Sequence, residues 1–260
     1  MSIPIVLSWL YLSSIDIRAA HSIIIAFPMS VFINDRTEPV RFDFSSDSDR
    51  MIIAFSSLRM DTKIPPFEWT GTLDNIPAKK VFIRDLYQLW YLKGLPGIAN
   101  NPEGISNYLQ PLIAQQECKT IITVGGSMGG YAALLFGQLL EADEVHALAP
   151  QTFLPARKGR VLLKTIYRRA WPILRKQAEL TLNRQLDRRY FDLRPFVKNS
   201  KHTANHLYFS TENEKDSNHA RHIGDLQSVQ LHEFQDVGHH IGTHMRDNGE
   251  LGKIFPEAKK

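Results

Sequence analysis

One glycine-rich segment has the residue types and spacing of a turn that presents a nucleophile. Gly125-Gly126-Ser127-Met128-Gly129-Gly130 fits the pattern G-x-S-x-G, in which a serine on a sharp strand-to-helix turn projects its Oγ above a sheet. The backbone passes that tightly only if the residues two before and two after the serine lack bulky side chains. Both are glycine here. The chemistry indicated is acyl transfer through a covalent serine intermediate.

The residues of this segment exclude two other kinds of glycine-rich turn, the phosphate-binding P-loop and the dinucleotide-binding turn. A phosphate-binding P-loop needs G-x-x-x-x-G-K-[ST], and no lysine follows Gly130. A dinucleotide-binding turn needs glycine where Ser127 stands, because a side chain there would block the pyrophosphate. The remaining alternative is a glycine-rich turn whose serine has no chemical role.

An acid that orients a general base is expected after Ser127 in the chain, in the loop that follows a strand at residues 206–210. Glu212, Glu214 and Asp216 are the candidates there. We favour Asp216 over Glu212 because Asp216 opens a stretch typical of a helix start, in which it would be the N-cap.

The general base is expected after a last strand at residues 228–234, where His239 and His240 follow Gly238. We favour His239, because a histidine directly after glycine at a strand exit can reach back over the edge of the sheet. A metal site is the alternative, since eight of the ten histidines fall between residues 202 and 244. His240 and His244 have the spacing of two ligands on one helix face, but no third ligand has a recognisable spacing, so we predict no metal.

Charge that develops on the acyl oxygen needs hydrogen-bond donors. The backbone N–H of Met128 is one candidate, because it opens the helix after the turn. The second is the N–H of Ser56 or Ser57, after a strand at 51–55, although both could be ordinary turn serines. Trp90 and Tyr91 are candidates for the substrate-binding wall, and as core aromatics they would look the same.

The elements that must position these residues change in type along the chain. The first half has short β-branched and aromatic runs, which predict strands. We expect the early strands to be antiparallel. The predicted strands are at 3–8, 22–27, 40–44, 51–55 and 80–84. From about residue 100, strands alternate with helices, which predicts a parallel sheet with crossover helices; these are helices at 102–115, 128–140 and 239–251, and strands at 120–124, 145–149, 206–210 and 228–234. We therefore predict one α/β domain over residues 1–260, with a mostly parallel central sheet, antiparallel N-terminal strands and flanking helices.

The charge of the chain is unevenly distributed. The total is +4, but residues 151–200 carry 13 Lys and Arg against three acids, a net charge of +10. The other 210 residues carry 18 basic and 24 acidic side chains, a net charge of −6. Residues 155–200 are predicted to form a basic helical cap insertion over Ser127. It would attract an anionic substrate such as an acidic glycan, an acyl-CoA or a lipid headgroup, or be only a solvated amphipathic surface.

Composition narrows the class of protein further. With 43% apolar and 22% charged residues in 260, the chain can bury a core of domain size. The single cysteine, Cys118, excludes an internal disulfide and a multi-thiolate metal site. The uncharged run at 1–15 is too short to span a bilayer and lacks the basic residues that precede a signal sequence. We predict a cytoplasmic protein without a transmembrane segment, and no nucleic-acid partner, because no binding motif accompanies the basic segment.

From about Met51 to the end, the chain resembles the α/β-hydrolase superfamily. The resemblance rests on the turn at residues 125–129, which is the nucleophile elbow of that superfamily, on the order Ser127, Asp216, His239, and on the strand–helix alternation. Residues 126–134, with Ala149-Pro150-Gln151-Thr152 and Gly238-His239, look like uncharacterised bacterial hydrolases, some of them associated with surface-polysaccharide genes. The chain lacks the His-Gly oxyanion motif common in the superfamily, since Phe55-Ser56 stands at that place.

The resemblance implies a catalytic triad that uses no metal or organic cofactor. His239 would be the base for Ser127, and Asp216 would hold the imidazole. Three functions are open. The first is hydrolysis of an ester or thioester, with an anionic or glycan-linked acyl substrate. The second is acyl transfer to a sugar hydroxyl by the same residues, and the third is non-catalytic binding of a glycan or a protein partner.

Overall fold

The structure of the chain is a computed structural model. It describes residues 37–59, 61–154, 176, 179–183 and 185–255, all within the unit Asn34–Lys260. The strands predicted at 3–8 and 22–27, and much of the predicted cap at 155–200, lie outside the described residues.

Seven strands form one sheet in the order β1-β3-β2-β4-β5-β6-β7. Their bounds are β1 Val40–Asp43, β2 Arg50–Phe55, β3 Lys79–Ile83, β4 Thr120–Gly126, β5 Glu144–Leu148, β6 Ala204–Ser210 and β7 Val229–Phe234. β1 pairs with β3 antiparallel, and every other neighbouring pair is parallel. The mostly parallel α/β sheet is thus confirmed, and so is antiparallel pairing in the N-terminal part, between β1 and β3. This pairing does not extend to β2, which is parallel to β3. Both strands are almost wholly buried, as strands covered on both faces are.

Helices connect the strands and cover the sheet. They are α1 Thr70–Leu73, α2 Pro102–Gln115, α3 Met128–Leu139, α4 Arg194–Asn199, α5 Glu214–Ile223 and α6 Ile241–Asp247, with 3₁₀ turns at Arg188–Phe191 and Leu251–Ile254. The predicted closing helix ends early, because Gly249 adopts a left-handed conformation with φ of 67°, which terminates helices. The chain then continues as the second 3₁₀ turn.

The core positions α3 closely against the sheet. Ten residues in succession, Met128–Gly137, are buried, and the ring of Phe136 stacks on Phe55 of β2 with centroids 5.1 Å apart. Tyr91 packs edge-on against the same two rings. Because β2, β4, β5, β6 and β7 run in parallel, their carboxyl ends meet at one edge of the sheet, where parallel α/β folds place their sites.

Candidate active site

Ser127 stands in a strained conformation between β4 and α3. Its φ and ψ are 51° and −116°, a region that residues with a side chain rarely occupy. Glycine on both sides permits this turn, since a Cβ on Gly125 would lie 2.2 Å from Gly129 O, and one on Gly129 would lie 2.3 Å from Phe55 O. The Ser127 N–H donates to Leu148 O of β5 at 2.8 Å. The predicted strand, sharp turn and helix are therefore present.

The structure brings Ser127, His239 and Asp216 together in a hydrogen-bonded chain. His239 Nε2 lies 3.0 Å from Ser127 Oγ. Its Nδ1 lies 2.9 and 3.0 Å from the two carboxylate oxygens of Asp216. A carboxylate only accepts hydrogen bonds, so Nδ1 carries the proton and the unprotonated Nε2 accepts from the serine hydroxyl. The imidazole is thus oriented as a base toward the serine.

The surroundings of Asp216 and His239 differ from those of the other acids and the other histidine that the sequence left open. The Asp216 side chain is 4% exposed, while that of His239 is 38% exposed. Glu212, Glu214 and His240 are exposed to solvent and contact neither Ser127 nor His239 Nδ1 in this arrangement. His240 is instead the N-cap residue of α6.

The helix that carries Asp216 begins earlier than the sequence predicted. α5 starts at Glu214, and its N-cap is Asn213, whose side chain accepts the N–H groups of Lys215 and Asp216. Asp216 therefore lies in the first turn instead of capping the helix. The positive end of the helix dipole favours a carboxylate there.

The three predicted oxyanion donors differ in availability. Met128 is the first residue of α3, so its N–H has no partner within the helix. The Ser56 N–H donates to Ile83 O at 2.9 Å and extends the pairing of β2 with β3, so it is not available to a substrate. The Ser57 N–H donates to Glu68 Oε2 at 2.9 Å, and the Ser57 hydroxyl also contacts this oxygen at 2.7 Å.

Comparisons with known proteins agree with this architecture. No protein-family model and no curated protein sequence matches the chain. Among solved structures, the capsule O-acetyltransferase of Neisseria meningitidis serogroup A is 16% identical, with a TM-score of 0.61 over 84% of this chain and 91% of that one. An acetyl xylan esterase from Paenibacillus sp. R4 is 13% identical, with a TM-score of 0.53 over 84% and 80%. A glycosylation-associated protein complex from Streptococcus agalactiae is 16% identical, with a TM-score of 0.59 over 83% of this chain and 43% of that one.

The chain has the α/β-hydrolase fold. In this fold the nucleophile follows a central strand and the acid and the histidine follow later strands. The chain order Ser127, Asp216, His239 and their positions after β4, β6 and β7 agree with that arrangement.

The two aromatic candidates have different environments. Trp90 is 3% exposed, and its indole Nε1 donates to Gln151 Oε1 at 3.2 Å, beside Ser127. Tyr91 is fully buried, and its hydroxyl contacts Ser56 O at 2.9 Å and Ile83 O at 3.1 Å. Tyr91 therefore belongs to the core beneath the site and does not form its wall.

Gln151 is a site residue that the sequence did not single out for chemistry. Its Nε2 donates to Ser127 Oγ at 3.0 Å. One signal could have found it: Gln151 follows β5, the neighbour of β4, and residues after adjacent parallel strands meet at one edge of an α/β-hydrolase sheet.

Two buried groups hold the loops around the site. Asp85 accepts the N–H groups of Tyr87, Leu89 and Tyr91, and burial raises its pKa to about 6 in spite of these donors. His219 Nδ1 accepts the N–H of Thr152 at 3.2 Å. Burial lowers the pKa of His219 to about 4, with smaller contributions from His222 and His239, so the ring is neutral and remains an acceptor near neutral pH.

The described part of the basic segment is anchored to the body of the domain. Phe153 forms a β-bridge with Asp192, Leu154 N donates to Phe191 O, and Leu193 N donates to Thr152 O. The Tyr131 hydroxyl of α3 donates to Tyr190 O at 2.6 Å. Residues 152–154 are thus paired with residues 191–193, and Tyr190 is tied to α3, the helix that follows Ser127.

Several basic side chains of this segment form ion pairs. Arg189 contacts Glu103 and Asp187, and Arg194 contacts Asp225. In the described ranges, no group of three His, Cys, Asp or Glu side chains is arranged to hold a metal ion. None of the helices in those ranges is long and apolar enough to cross a membrane.

Proposed function

We propose that the protein is a serine hydrolase that cleaves a carboxylic ester or thioester through an acyl-enzyme on Ser127. The observation that carries this proposal is the chain of contacts from Asp216 through His239 to Ser127 Oγ, each at 2.9–3.0 Å. A nucleophile within hydrogen-bond reach of a base that a third group orients is the geometry of covalent acyl transfer.

The proposed reaction has two halves. In the first, Oγ bonds to the acyl carbon, its proton passes to His239 Nε2, and this proton then goes to the leaving alcohol or thiol as the C–O or C–S bond breaks. Asp216 stabilises the imidazolium that exists between these transfers. In the second half, His239 takes a proton from water as the water oxygen bonds to the acyl carbon, and this proton then passes to Ser127 Oγ as the C–Oγ bond breaks and the acid leaves. The nucleophile, the base and the orienting acid in these steps are side chains of this chain.

A second proposed function keeps the acyl-enzyme and replaces water with a sugar hydroxyl as the acceptor. The likeness to a capsule O-acetyltransferase over 91% of that protein's length favours it. The 38% exposure of the His239 side chain supports it as well, because the base must reach the hydroxyl of an incoming acceptor. The +10 charge of residues 151–200 agrees with an anionic or glycan-linked acyl substrate in either case.

A fluorophosphonate probe tests the nucleophile. We expect it to label the wild-type protein at Ser127 and to fail on Ser127→Ala and His239→Ala. His240→Ala is the matched control, because His240 is an exposed neighbour on the same loop, and this variant should label like the wild type. A folded wild-type protein that does not label but binds polyanions would instead be a non-catalytic member of the fold.

Turnover of p-nitrophenyl acetate separates the two acceptors. For a hydrolase, the steady rate after the first turnover is unchanged by an added polysaccharide. For a transferase, the polysaccharide raises that rate and acquires the acetyl group, which mass spectrometry detects. A steady rate without acetylated polysaccharide would contradict the second function.

A further inference from the structure

The Ser127 hydroxyl has a second side-chain contact that the proposed triad does not use. Gln151 Nε2 lies 3.0 Å from Ser127 Oγ, the same distance as His239 Nε2. The hydroxyl donates its proton to the histidine, so the contact with Gln151 uses an oxygen lone pair. The glutamine amide is thus a donor directed at the reacting oxygen.

Trp90 fixes the orientation of this amide. The indole Nε1 can only donate, and it lies 3.2 Å from Gln151 Oε1. Rotating the amide by half a turn would place its NH₂ group against the indole N–H, two donors facing each other. The amide oxygen must therefore face Trp90, and the NH₂ group must face Ser127.

The backbone on both sides of this contact is also held in place. Thr152, next to Gln151, donates its N–H to His219 Nδ1 and its hydroxyl to His219 O at 2.7 Å. Trp90 lies between Leu89 and Tyr91, whose N–H groups donate to Asp85 Oδ2 at 2.6 and 2.8 Å. A donor held in this way stabilises charge with little reorganisation when the reaction occurs.

The loop after β2 does not supply the second oxyanion donor through Ser56 or Ser57. The Ser56 N–H is used by Ile83 O, and the Ser57 N–H is used by the Glu68 carboxylate. Of the predicted oxyanion donors, the Met128 N–H is the one that these contacts do not engage. Acyl transfer by a serine ordinarily uses more than one donor for the developing charge.

We infer that the Gln151 side-chain amide is the second oxyanion donor, an inference that rests on the proposed function. As Ser127 Oγ bonds to the acyl carbon and its proton moves to His239, the carbonyl π pair moves onto the acyl oxygen. That oxygen is bonded to the same carbon as Oγ, so a donor 3.0 Å from Oγ is within reach of it. Gln151 Nε2–H and Met128 N–H then both donate to the negative oxygen until the leaving group departs and the carbonyl reforms.

Gln151→Ala tests the inference with p-nitrophenyl acetate as substrate. Removal of one oxyanion donor lowers kcat by about 10²–10³-fold, and KM should change little because the bond strengthens only in the transition state. Gln151→Glu preserves the shape but presents a carboxylate to the oxyanion, so it should be at least as impaired. Gln110→Ala, at an exposed glutamine of α2, is the control and should retain wild-type kcat.

A thionoester substrate separates an oxyanion donor from a structural role. Sulfur accepts hydrogen bonds weakly, so Gln151→Ala should slow the ester much more than the matched thionoester. Thermal melts establish that each variant is folded, and Gln151→Glu serves if Gln151→Ala is not. Equal slowing of both substrates, or a kcat within about threefold of wild type, would overturn the inference. Absence of turnover and labelling in the wild type would refute the proposed function itself.

Discussion

His219 provides a pH test of how the backbone beside Ser127 is held. Its buried ring packs against Phe153 at a centroid distance of 4.3 Å, and its Nδ1 accepts the N–H of Thr152. Burial lowers the pKa of His219 from the ordinary value of 6.5 to about 4 in the folded protein. A proton on Nδ1 would remove the acceptor and place a charge in an apolar environment.

The direction and size of the effect follow from this pKa difference. Between pH 6.5 and pH 4 the unfolded chain binds a proton on His219 that the folded chain does not. The free energy of unfolding therefore falls as the pH falls through this window. A shift of about 2.5 pKa units corresponds to about 3 kcal/mol in total, of which about 2 kcal/mol is lost by a pH of about 5.

Urea denaturation of the wild type and of His219→Asn over this pH range measures the effect. Asparagine retains an acceptor oxygen near the position of Nδ1 and cannot be protonated, so the variant should lose about 2 kcal/mol less than the wild type by a pH of about 5. Burial also lowers the pKa values of His206 and His232, but they are present in both proteins and cancel in the difference. His202→Asn, at an exposed histidine, should follow the wild type. Parallel stability curves for the wild type and His219→Asn would refute the reasoning.

Three further outcomes are expected. Gly129→Ala should unfold the elbow and abolish fluorophosphonate labelling, because its Cβ would lie 2.3 Å from Phe55 O, whereas Gly252→Ala, with nothing within 4 Å, should label normally. Asp85→Ala should lower the free energy of unfolding by about 3 kcal/mol or more in urea titrations, because three N–H groups lose a buried acceptor; an unchanged midpoint would contradict this. Asp216→Asn should lower kcat by about 10³-fold, since a charge about 4 Å from the imidazolium contributes about 4 kcal/mol at an effective dielectric constant of about 20. Glu212→Gln, at an exposed carboxylate, should leave kcat unchanged, and equal losses in the two variants would contradict the placement of the acid.

Local sterics explain which parts of the site the sequence predicted. The turn at Ser127 depends on the absence of side chains at Gly125 and Gly129, and the sequence shows both glycines directly. The start of α5 was placed too late because Asn213, three residues before the predicted N-cap Asp216, caps the helix. The pairing of β2 with β3 was missed because short apolar runs do not reveal strand direction.

Contacts between distant residues could not be predicted from local patterns. Ser56 is unavailable as a donor because of Ile83, and Ser57 is engaged by Glu68. The role of Gln151 depends on Trp90, 61 positions earlier in the chain. These contacts depend on strand pairing and loop packing between residues far apart in the chain, which the spacing of residues in one sequence does not reveal.

The chain between Phe153 and Asp192 is closed at its base by the pairing of these two residues. β5 ends at Leu148 and β6 begins at Ala204, and between these strands an isolated β-bridge holds Phe153 and Asp192 as neighbours. A loop whose ends are already joined has an entropy of closure that grows only slowly with its length. Changes in the length of this loop therefore cost little closure entropy. Leu180, Leu186 and Tyr190 within it nevertheless pack into the core, and Tyr190 O accepts from the Tyr131 hydroxyl of α3, so these residues couple the loop to the geometry at Ser127.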